Sequence, residues 1–288
     1  MTTSLQRGSL EGGPCPFRLP VVFGIVNVTR DSFSDGGRFL EANAAIEHGR
    51  QLIAQGAQVV DLGAAASNPH AEAVAPEAEI ARLAPVVSAL KQDGIPLSID
   101  TFAVDVQRWA LQQDIKYLND VRGFPEPHFY PALADSSATL VVMHAVQEGG
   151  KATSVDAPPD AIYGRVFDFF EERISALQRA GVASSRLILD PGMGLFLGTR
   201  PEASFEVLRR LPELKAAFGL PLLVSVSRKS FLRRTARRGV ADAGFATLAA
   251  EVFAVFQGAD YIRTHDPAAL ADGTAVWAAA LTGNRTSS

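Results

Sequence analysis

The chain has 288 residues, of which 47% are hydrophobic, and 27 Lys and Arg residues against 31 Asp and Glu residues give a net charge of −4. This composition excludes a mainly disordered chain. The slightly negative net charge does not indicate a general electrostatic attraction to nucleic acid or to an anionic membrane. A single cysteine, Cys15, excludes an internal disulfide and a cysteine-rich zinc site and favours a reducing compartment. Because we find no secretory signal and no run of 18 apolar residues, we expect a cytoplasmic protein that binds neither membrane nor nucleic acid.

From Val21 onward, eight short apolar runs alternate with longer segments of helical apolar spacing. This alternation is typical of βα units with a parallel sheet, and eight runs predict a closed TIM (β/α)8 barrel, with an open doubly wound sheet as the alternative. No linker divides the chain, so we predict one barrel domain over 21–282, a poorly ordered N-terminal extension over 1–20 and a C-terminal tail over 283–288. The predicted strands begin at Val21, Gln58, Pro96, Lys116, Thr139, Arg186, Pro221 and Asp260. The clearest predicted helices cover 42–55, 76–90, 161–179 and 243–256.

Polar residues close each of the predicted strands. In a TIM barrel the C-terminal strand ends meet at one mouth, where the chemistry is assembled. A single Asp at such an end is often a helix N-cap. Eight polar endings at one mouth favour a binding or catalytic site over a set of helix caps. Several of these side chains should face the barrel interior, where a charge needs a partner. The endings are Asn27, Asp61, Asp100, Asn119 with Asp120, His144, Asp190, Ser227 with Arg228 and Lys229, and Arg263 with His265.

These endings form an acidic and polar group and a separate cationic group, which together suit a ligand with a heterocycle at one end and an anion at the other. Carboxylates and a carboxamide on the middle strands can bind a planar nitrogen heterocycle, whereas the cationic groups on the last two strands can hold an anion. The chain has no Walker sequence, no dinucleotide fingerprint, no zinc-type His pair and no evident acyl-transfer nucleophile. The heterocycle would contact Asp100, Asn119 and Asp190, and the anion would contact Lys229, Arg263 and His265.

Seven segments resemble, in order, those of the dihydropteroate synthases, and they span most of the chain. The resemblance implies a TIM barrel that joins 6-hydroxymethyl-7,8-dihydropterin pyrophosphate to 4-aminobenzoate, releasing pyrophosphate in folate biosynthesis. The segments are GIVNVTRDSFSDGG from Gly24, SIDT from Ser98, LND from Leu118, VVMH from Val141, LDPGMG from Leu189, SVSRKSF from Ser225 and RTHD from Arg263.

The resemblance also implies roles for individual residues. Asp190 suits the two donors of the pterin edge, and Asp100 would stabilise a cationic transition state, with Lys229 as the second catalytic residue. We expect the substrates as partners and leave homodimer formation open. The pterin site comprises Asp100, Asn119, Met143, Asp190 and Lys229. The diphosphate site comprises Asn27, Arg263 and His265, with Asn27 as the ligand of the cofactor Mg²⁺. The 4-aminobenzoate site comprises Ser67, Phe196, Arg228 and Ser230.

Two departures from the common family pattern resemble the sulfonamide-insensitive Sul-type branch. Asn68 stands where Arg is usual, and Arg30 replaces a usual Pro. The segment LDPGMGLFLGTRPEAS is about two residues longer than in ordinary members, and Phe196 lies in the excess. We therefore predict sulfonamide insensitivity, with Phe196 excluding the bulkier drug. The alternative is a neutral difference in loop length, since surface insertions cost little.

Three other enzyme or binding functions stay open from the residues alone. Lys229 in a barrel mouth could form a Schiff base as in aldolases, with Asp190 as a proton shuttle. The barrel could also bind a pterin or folate without synthase activity, or transfer methyl groups from reduced folates. A non-enzymatic interaction protein fits least well, because its strand ends need not combine carboxylates with an anion-binding cluster.

Overall fold

The computed structural model describes residues 18–28, 35–65, 74–147 and 155–282. Within these ranges, eight parallel strands alternate with helices. The strands are β1 (Val21–Asn27), β2 (Val59–Gly63), β3 (Leu97–Asp100), β4 (Tyr117–Asp120), β5 (Thr139–Met143), β6 (Leu187–Asp190), β7 (Leu223–Val224) and β8 (Tyr261–Thr264).

The helices of the described residues surround the strands. Three short 3-10 segments, at Pro127–Phe129, Ser184–Arg186 and Gly194–Leu197, lie in the connections. The α-helices are α1 (Asp35–Ala54), α2 (Pro76–Gln92), α3 (Val104–Gln112), α4 (Tyr130–Asp135), α5 (Pro159–Arg179), α6 (Pro201–Arg209), α7 (Leu211–Phe218), α8 (Ser230–Ala236), α9 (Gly244–Phe256) and α10 (Pro267–Thr282).

The sheet closes on itself. Its hydrogen-bonded order runs from β6 through β5, β4, β3, β2 and β1 to β8 and β7. A parallel bridge between Leu189 and Leu222 joins the two ends, and the Leu189 N–H donates to the Pro221 carbonyl over 2.9 Å. The predicted TIM barrel is therefore confirmed, and the open doubly wound alternative is wrong.

An apolar plug fills the N-terminal part of the barrel. Phe23, Tyr117 and Tyr261 meet edge to face across the interior, with the Phe23 ring centroid 4.8 Å from Tyr117 and 5.8 Å from Tyr261. Successive side chains of a strand point to opposite faces, so the intervening residues, such as Val60 and Leu118, pack against the helices instead. The plug also includes Val59, Val141, Ile188 and Leu223.

The seventh strand is much shorter than the predicted run over 221–227. The regular strand covers Leu223–Val224 only. The chain turns soon afterwards, because the Lys229 N–H donates to the Val226 carbonyl over 3.1 Å. The backbone thus leaves the sheet before the strand-end residues. Residues 1–17 of the predicted extension and the predicted tail over 283–288 lie outside the described residues.

Arg186 joins the start of β6 to the end of α4. Its guanidinium donates to the carbonyls of Leu133 (2.9 Å), Ala134 (3.2 Å) and Ala138 (2.7 Å from Nη2), and to Ser136 Oγ (2.8 Å). Carbonyls at a helix C-terminus lack partners within the helix, and a cation there also suits the helix dipole. One side chain therefore satisfies several main-chain acceptors of this connection.

We predict that Arg186→Met lowers the free energy of unfolding by about 2 to 3 kcal/mol, because several acceptors lose a charged donor while the aliphatic stem is kept. Arg186→Lys should be intermediate, since an ammonium cannot reproduce the planar fork. Urea denaturation followed by circular dichroism measures the loss. A loss below about 0.5 kcal/mol would mean that water replaces the guanidinium.

Candidate functional site

A polar layer lies directly above the apolar plug. Because side chains alternate along a strand, the residue two positions after an inward apolar side chain also faces the interior. Asp100 stands two positions after the buried Ser98. The other pairs of plug residue and polar residue are Val59 with Asp61, Tyr117 with Asn119, Ile188 with Asp190, and Tyr261 with Arg263.

Arg263 lies between two carboxylates at the centre of this layer. Its Nε is 2.5 Å from Asp61 Oδ2 and its Nη2 is 2.5 Å from Asp100 Oδ2. Burial lowers the pKa of Arg263, but the two carboxylates outweigh it and the net shift is upward. Burial raises the pKa of Asp100 to about 7, against the opposing effect of Arg263. The sequence analysis noted Asp61 as a strand ending without giving it a role, and only the packing shows that it pairs with Arg263.

Asp190 and Lys229 are two further charged groups, and the charge of each opposes the pKa shift that burial causes in the other. Burial raises the pKa of Asp190 to about 6, while the Gly192 N–H, which donates to Oδ1 over 2.8 Å, and the Lys229 charge oppose the rise. Burial lowers the pKa of Lys229 to about 8, and Asp190 opposes that shift. Both groups therefore carry charge near neutral pH. A lowered lysine pKa is also what a Schiff-base lysine requires.

Asn119 carries an unsatisfied acceptor. Asn119 is 2% exposed, and its Oδ1 has no hydrogen-bond partner among the residues that the structure describes. Asn119 pairs in register with Asp100 on the neighbouring strand, which places it in the polar layer. A buried amide oxygen without a donor costs about 1 to 3 kcal/mol. A ligand that brings a donor would remove this cost.

Phe196 lies next to residues that the resemblance assigns to the pterin. The side chain is 6% exposed in the 3-10 segment Gly194–Leu197 and packs with Met143 and Val121. The Lys229 ammonium nitrogen is 4.8 Å from the ring centroid. The ring is therefore buried next to Lys229 and Met143.

His265 is neutral at pH 7. Burial, followed by the charges of Arg228, Arg263 and Lys229, lowers its pKa to about 4. Ser227 Oγ accepts the His265 backbone N–H over 3.2 Å and lies 2.9 Å from Nδ1. With the serine hydroxyl donating to Nδ1, the neutral imidazole carries its proton on Nε2 and can donate it to an anion; with the other tautomer, Nδ1–H donates to the serine.

The turn after β7 separates the neighbouring residues Arg228 and Ser230. Arg228 has a left-handed φ of 57°, and its backbone N–H donates to Thr247 Oγ1 over 3.1 Å. Its exposed side chain lines a cavity of about 580 Å³ beside α9 and α10. Ser230 begins α8 and lines a different pocket of about 440 Å³ that arginines surround. Of these two cavities, Arg228 lines one and Ser230 the other, and the assignment of both residues to the 4-aminobenzoate site stays a prediction.

Two strand endings have structural partners outside the barrel interior. Asp120 accepts hydrogen bonds from Gln107 Nε2 (2.9 Å) and from the Arg122 backbone N–H (2.8 Å). His144 follows β5, its Nδ1 lies 3.2 Å from the Pro191 carbonyl, and burial lowers its pKa to about 4. Both residues orient the loops around the site.

The first-loop predictions are only partly covered by the structure. Asn27 ends β1 with an exposed side chain. Ser67, Asn68 and Arg30 lie outside the described residues. Among the residues that are described, no group of three or more His, Cys, Asp or Glu side chains could hold a metal ion, and no helix is long and apolar enough to cross a membrane.

Comparison with known proteins gives consistent matches. The family model for pterin binding enzymes matches residues 23–265. The type-2 dihydropteroate synthase of Escherichia coli is 56% identical over 259 residues, covering 90% of this chain and 95% of the relative. The Xanthomonas albilineans dihydropteroate synthase structure with 4-aminobenzoic acid has a TM-score of 0.81 and 36% identity, covering 91% of this chain and 93% of that one. The structure of that enzyme with 7,8-dihydropteroate has a TM-score of 0.78 and 36% identity, covering 91% and 94%. The motifs, the closed barrel and its polar layer thus have one explanation: the chain belongs to the pterin-binding enzymes and, within them, to the dihydropteroate synthases.

Proposed function

We propose that the protein joins 6-hydroxymethyl-7,8-dihydropterin pyrophosphate to 4-aminobenzoate and releases pyrophosphate. The observation that carries the proposal is the buried Asn119 oxygen without a partner, in the same layer as Asp190 and Asp100. Family membership and solved relatives with 4-aminobenzoic acid and 7,8-dihydropteroate support the choice of substrates.

The pterin would be held by complementary hydrogen bonds. Asp190 Oδ1 already accepts the Gly192 N–H, and the remaining acceptor sites of the carboxylate suit the adjacent donors of the amino-pyrimidinone edge. Asn119 Oδ1 would accept a further donor, and Lys229 would donate to a ring acceptor. Met143 would pack on the ring face. The ligand would satisfy groups that have no protein partner.

The protein would catalyse the reaction by stabilising the charges that develop on the pterin ring and on the leaving pyrophosphate. The bond from the pterin methylene carbon to pyrophosphate breaks, and positive charge spreads into the electron-rich ring, where Asp100 stabilises it. Arg263 and the Nε2–H of His265 hold the leaving anion. The arylamine nitrogen forms the new bond to the methylene carbon and loses a proton. No protein nucleophile is required.

Magnesium is a further part of the proposal. Asn27 offers an exposed carboxamide oxygen at the barrel mouth, and Mg²⁺ is commonly held by one or two protein groups together with substrate phosphates. This arrangement fits an ion that Asn27 would share with the diphosphate. When bound, the ion would neutralise part of the diphosphate charge.

The function is tested by pyrophosphate release from the pterin substrate, with and without 4-aminobenzoate, in wild type and Asp190→Asn. We expect release in the wild type to depend on 4-aminobenzoate. Calorimetry with 6-hydroxymethylpterin at pH 7.5 should show about tenfold or greater weakening in Asp190→Asn, because a charge-assisted bond is lost. Wild-type affinity should fall as the pH drops through about 6, where Asp190 gains a proton, and should approach the value of the variant.

The matched control is Asp120→Asn, because Asp120 is a buried carboxyl at the end of β4 that bonds to Gln107. This change should lower stability without altering the pH dependence of pterin binding. Equal pterin affinity in wild type and Asp190→Asn would remove Asp190 from the site. Pterin binding without pyrophosphate release would favour a barrel that lacks synthase activity.

We also propose that the enzyme is sulfonamide-insensitive and that Phe196 contributes to this property. Sulfonamides imitate 4-aminobenzoate but carry a bulkier substituted sulfonyl group. The Phe196 ring is fixed by Met143, Val121 and Lys229 and has little room to move. One unrelieved clash costs about 1 to 3 kcal/mol, by analogy with overpacking of a core. A rigid wall can therefore separate two similar ligands by exclusion.

We predict that Phe196→Leu lowers the sulfamethoxazole inhibition constant about tenfold or more and changes the Michaelis constant for 4-aminobenzoate much less, because the clash is relieved. Steady-state kinetics of one purified preparation measures both constants. Leu197→Val is the control, since Leu197 lies in the same segment but in the core. If both constants change together, or if the control behaves like Phe196→Leu, the ring is not a selective wall.

A homodimer in the cytoplasm completes the proposal. The single cysteine supports a reducing compartment. On the face formed by α9 and α10, Phe245 is 91% exposed, and Phe256 and Trp277 contact edge to face while also exposed. Exposed apolar patches of this kind mark interaction surfaces. We expect light scattering to give twice the mass of one chain and Phe245→Asp to give the monomer. A wild-type monomer would contradict this assignment.

A further inference from the structure

A neighbouring loop packs closely against the segment that carries Phe196. Phe196 lies in the 3-10 segment Gly194–Leu197, which follows β6. Residues 144–147 follow β5, the strand next to β6 in the sheet. The two segments come so close at Gly192, whose φ is 73°, that a Cβ atom there would overlap the His144 carbonyl oxygen. Glycine is therefore required where the two loops meet.

Two hydrogen bonds hold the peptide groups on either side of the Phe196 Cα atom. The Leu195 carbonyl, in the preceding peptide group, accepts from Gln147 Nε2 over 2.7 Å. The Phe196 carbonyl, in the following peptide group, accepts from the Val146 backbone N–H over 2.9 Å. Because each peptide group is planar, fixing both planes fixes the direction of the Cα–Cβ bond between them. The segment after β5 therefore determines where the Phe196 ring points.

The loop is also anchored on both sides of Phe196. Before the ring, the Gly194 N–H donates over 2.9 Å to the Oγ of Ser204, a fully buried residue of α6. After the ring, the Thr199 N–H donates to the Val155 carbonyl over 2.9 Å. Loss of a bond between these two anchors should therefore free the residues that carry the ring and leave the rest of the loop in place.

Gln147 makes one of the two bonds around Phe196 through its side chain, so this bond can be removed without changing the backbone. Gln147 is 9% exposed. The Leu195 carbonyl also accepts the Gly198 N–H over 3.2 Å, so it keeps a partner when the glutamine amide is lost. The large penalty of a buried acceptor without a donor does not arise. A variant at Gln147 should therefore fold and lose the positioning alone.

We infer that Gln147 is a positioning residue that sets the discrimination between 4-aminobenzoate and sulfonamides by holding the backbone of Phe196. With the bond in place, the ring stays against Met143 and Val121. Without it, the Leu195 peptide group can rotate and the ring can give way to a bulkier ligand. The bond itself needs no ligand, but its effect on drug binding rests on the proposed role of Phe196. Gln147 touches neither substrate in this scheme.

The experiment compares Gln147→Met, Phe196→Leu and the double variant with both changes. Methionine keeps the length of glutamine and lacks the amide donor. Gln257→Met is the matched control, because Gln257 Nε2 also donates to a backbone carbonyl, that of Arg209, over 2.9 Å. Both glutamine bonds span 48 residues of the chain, so the two variants lose the same kind of contact.

Two readouts are needed. The first is hydrogen exchange of the Val146 amide in the ligand-free protein by NMR. The Leu189 amide, which donates to the Pro221 carbonyl where the barrel closes, is the internal reference. The second is steady-state kinetics, which gives the sulfamethoxazole inhibition constant together with kcat and the Michaelis constant for 4-aminobenzoate.

We expect Gln147→Met to speed Val146 exchange about tenfold relative to Leu189, because the neighbouring bond no longer supports the contact between the loops. The sulfamethoxazole inhibition constant should fall about threefold to tenfold, with kcat and the Michaelis constant changed by less than about twofold. In the Phe196→Leu background, Gln147→Met should leave the inhibition constant unchanged, because no ring remains to be positioned. Gln257→Met should alter neither readout.

Unchanged Val146 exchange in Gln147→Met would overturn the inference. Three kinetic results would also overturn it: parallel changes of the inhibition and Michaelis constants, an effect that persists in the double variant, or an equal effect in the control. If Phe196→Leu changes drug inhibition and Gln147→Met does not, the inference fails and the proposed role of Phe196 stands. If Phe196→Leu itself has no effect, the role of Phe196 fails and the inferred effect on drug binding fails with it, whereas exchange still decides whether Gln147 holds the loop.

Discussion

The guanidinium of Arg263 is the group around which the barrel mouth is organised, because it pairs at 2.5 Å with both Asp61 and Asp100. Unpaired carboxylates inside a closed barrel would cost several kcal/mol each. The shared cation makes their burial tolerable and connects β8 with β2 and β3 across β1. In its ionised form Asp100, whose pKa burial raises to about 7, adds a further negative charge to the cluster. That charge suits a reaction in which positive charge develops on the substrate.

This cluster depends on the apolar plug beneath it. Phe23, Tyr117 and Tyr261 close the barrel below the polar layer. Fixed charges next to such a plug interact more strongly than they would in water. The same burial raises the pKa of Asp190 to about 6 and lowers that of Lys229 to about 8. Binding geometry and acid-base properties therefore have one structural origin.

Much of the fold was predictable from local pattern. Eight apolar runs separated by helical segments led to the barrel, and polar endings located its mouth, since both depend on short-range sequence. The seventh strand was predicted too long, because its apolar residues continue into the turn that ends at Lys229. Phe196 packs with Met143 and Val121, which lie in segments distant in the chain, so the local pattern could not predict this cluster.

The sequence by itself determined the order of strands and helices, the residues at each strand end and the family to which the chain belongs. Only the tertiary structure decided which polar endings serve the site. Asn119 and Asp120 are adjacent, yet Asn119 faces the interior with an Oδ1 that no described residue contacts by a hydrogen bond, and Asp120 bonds to Gln107 behind the strand. The physical reason is that alternation along a strand fixes relative directions, whereas closure of the barrel determines which face becomes the interior.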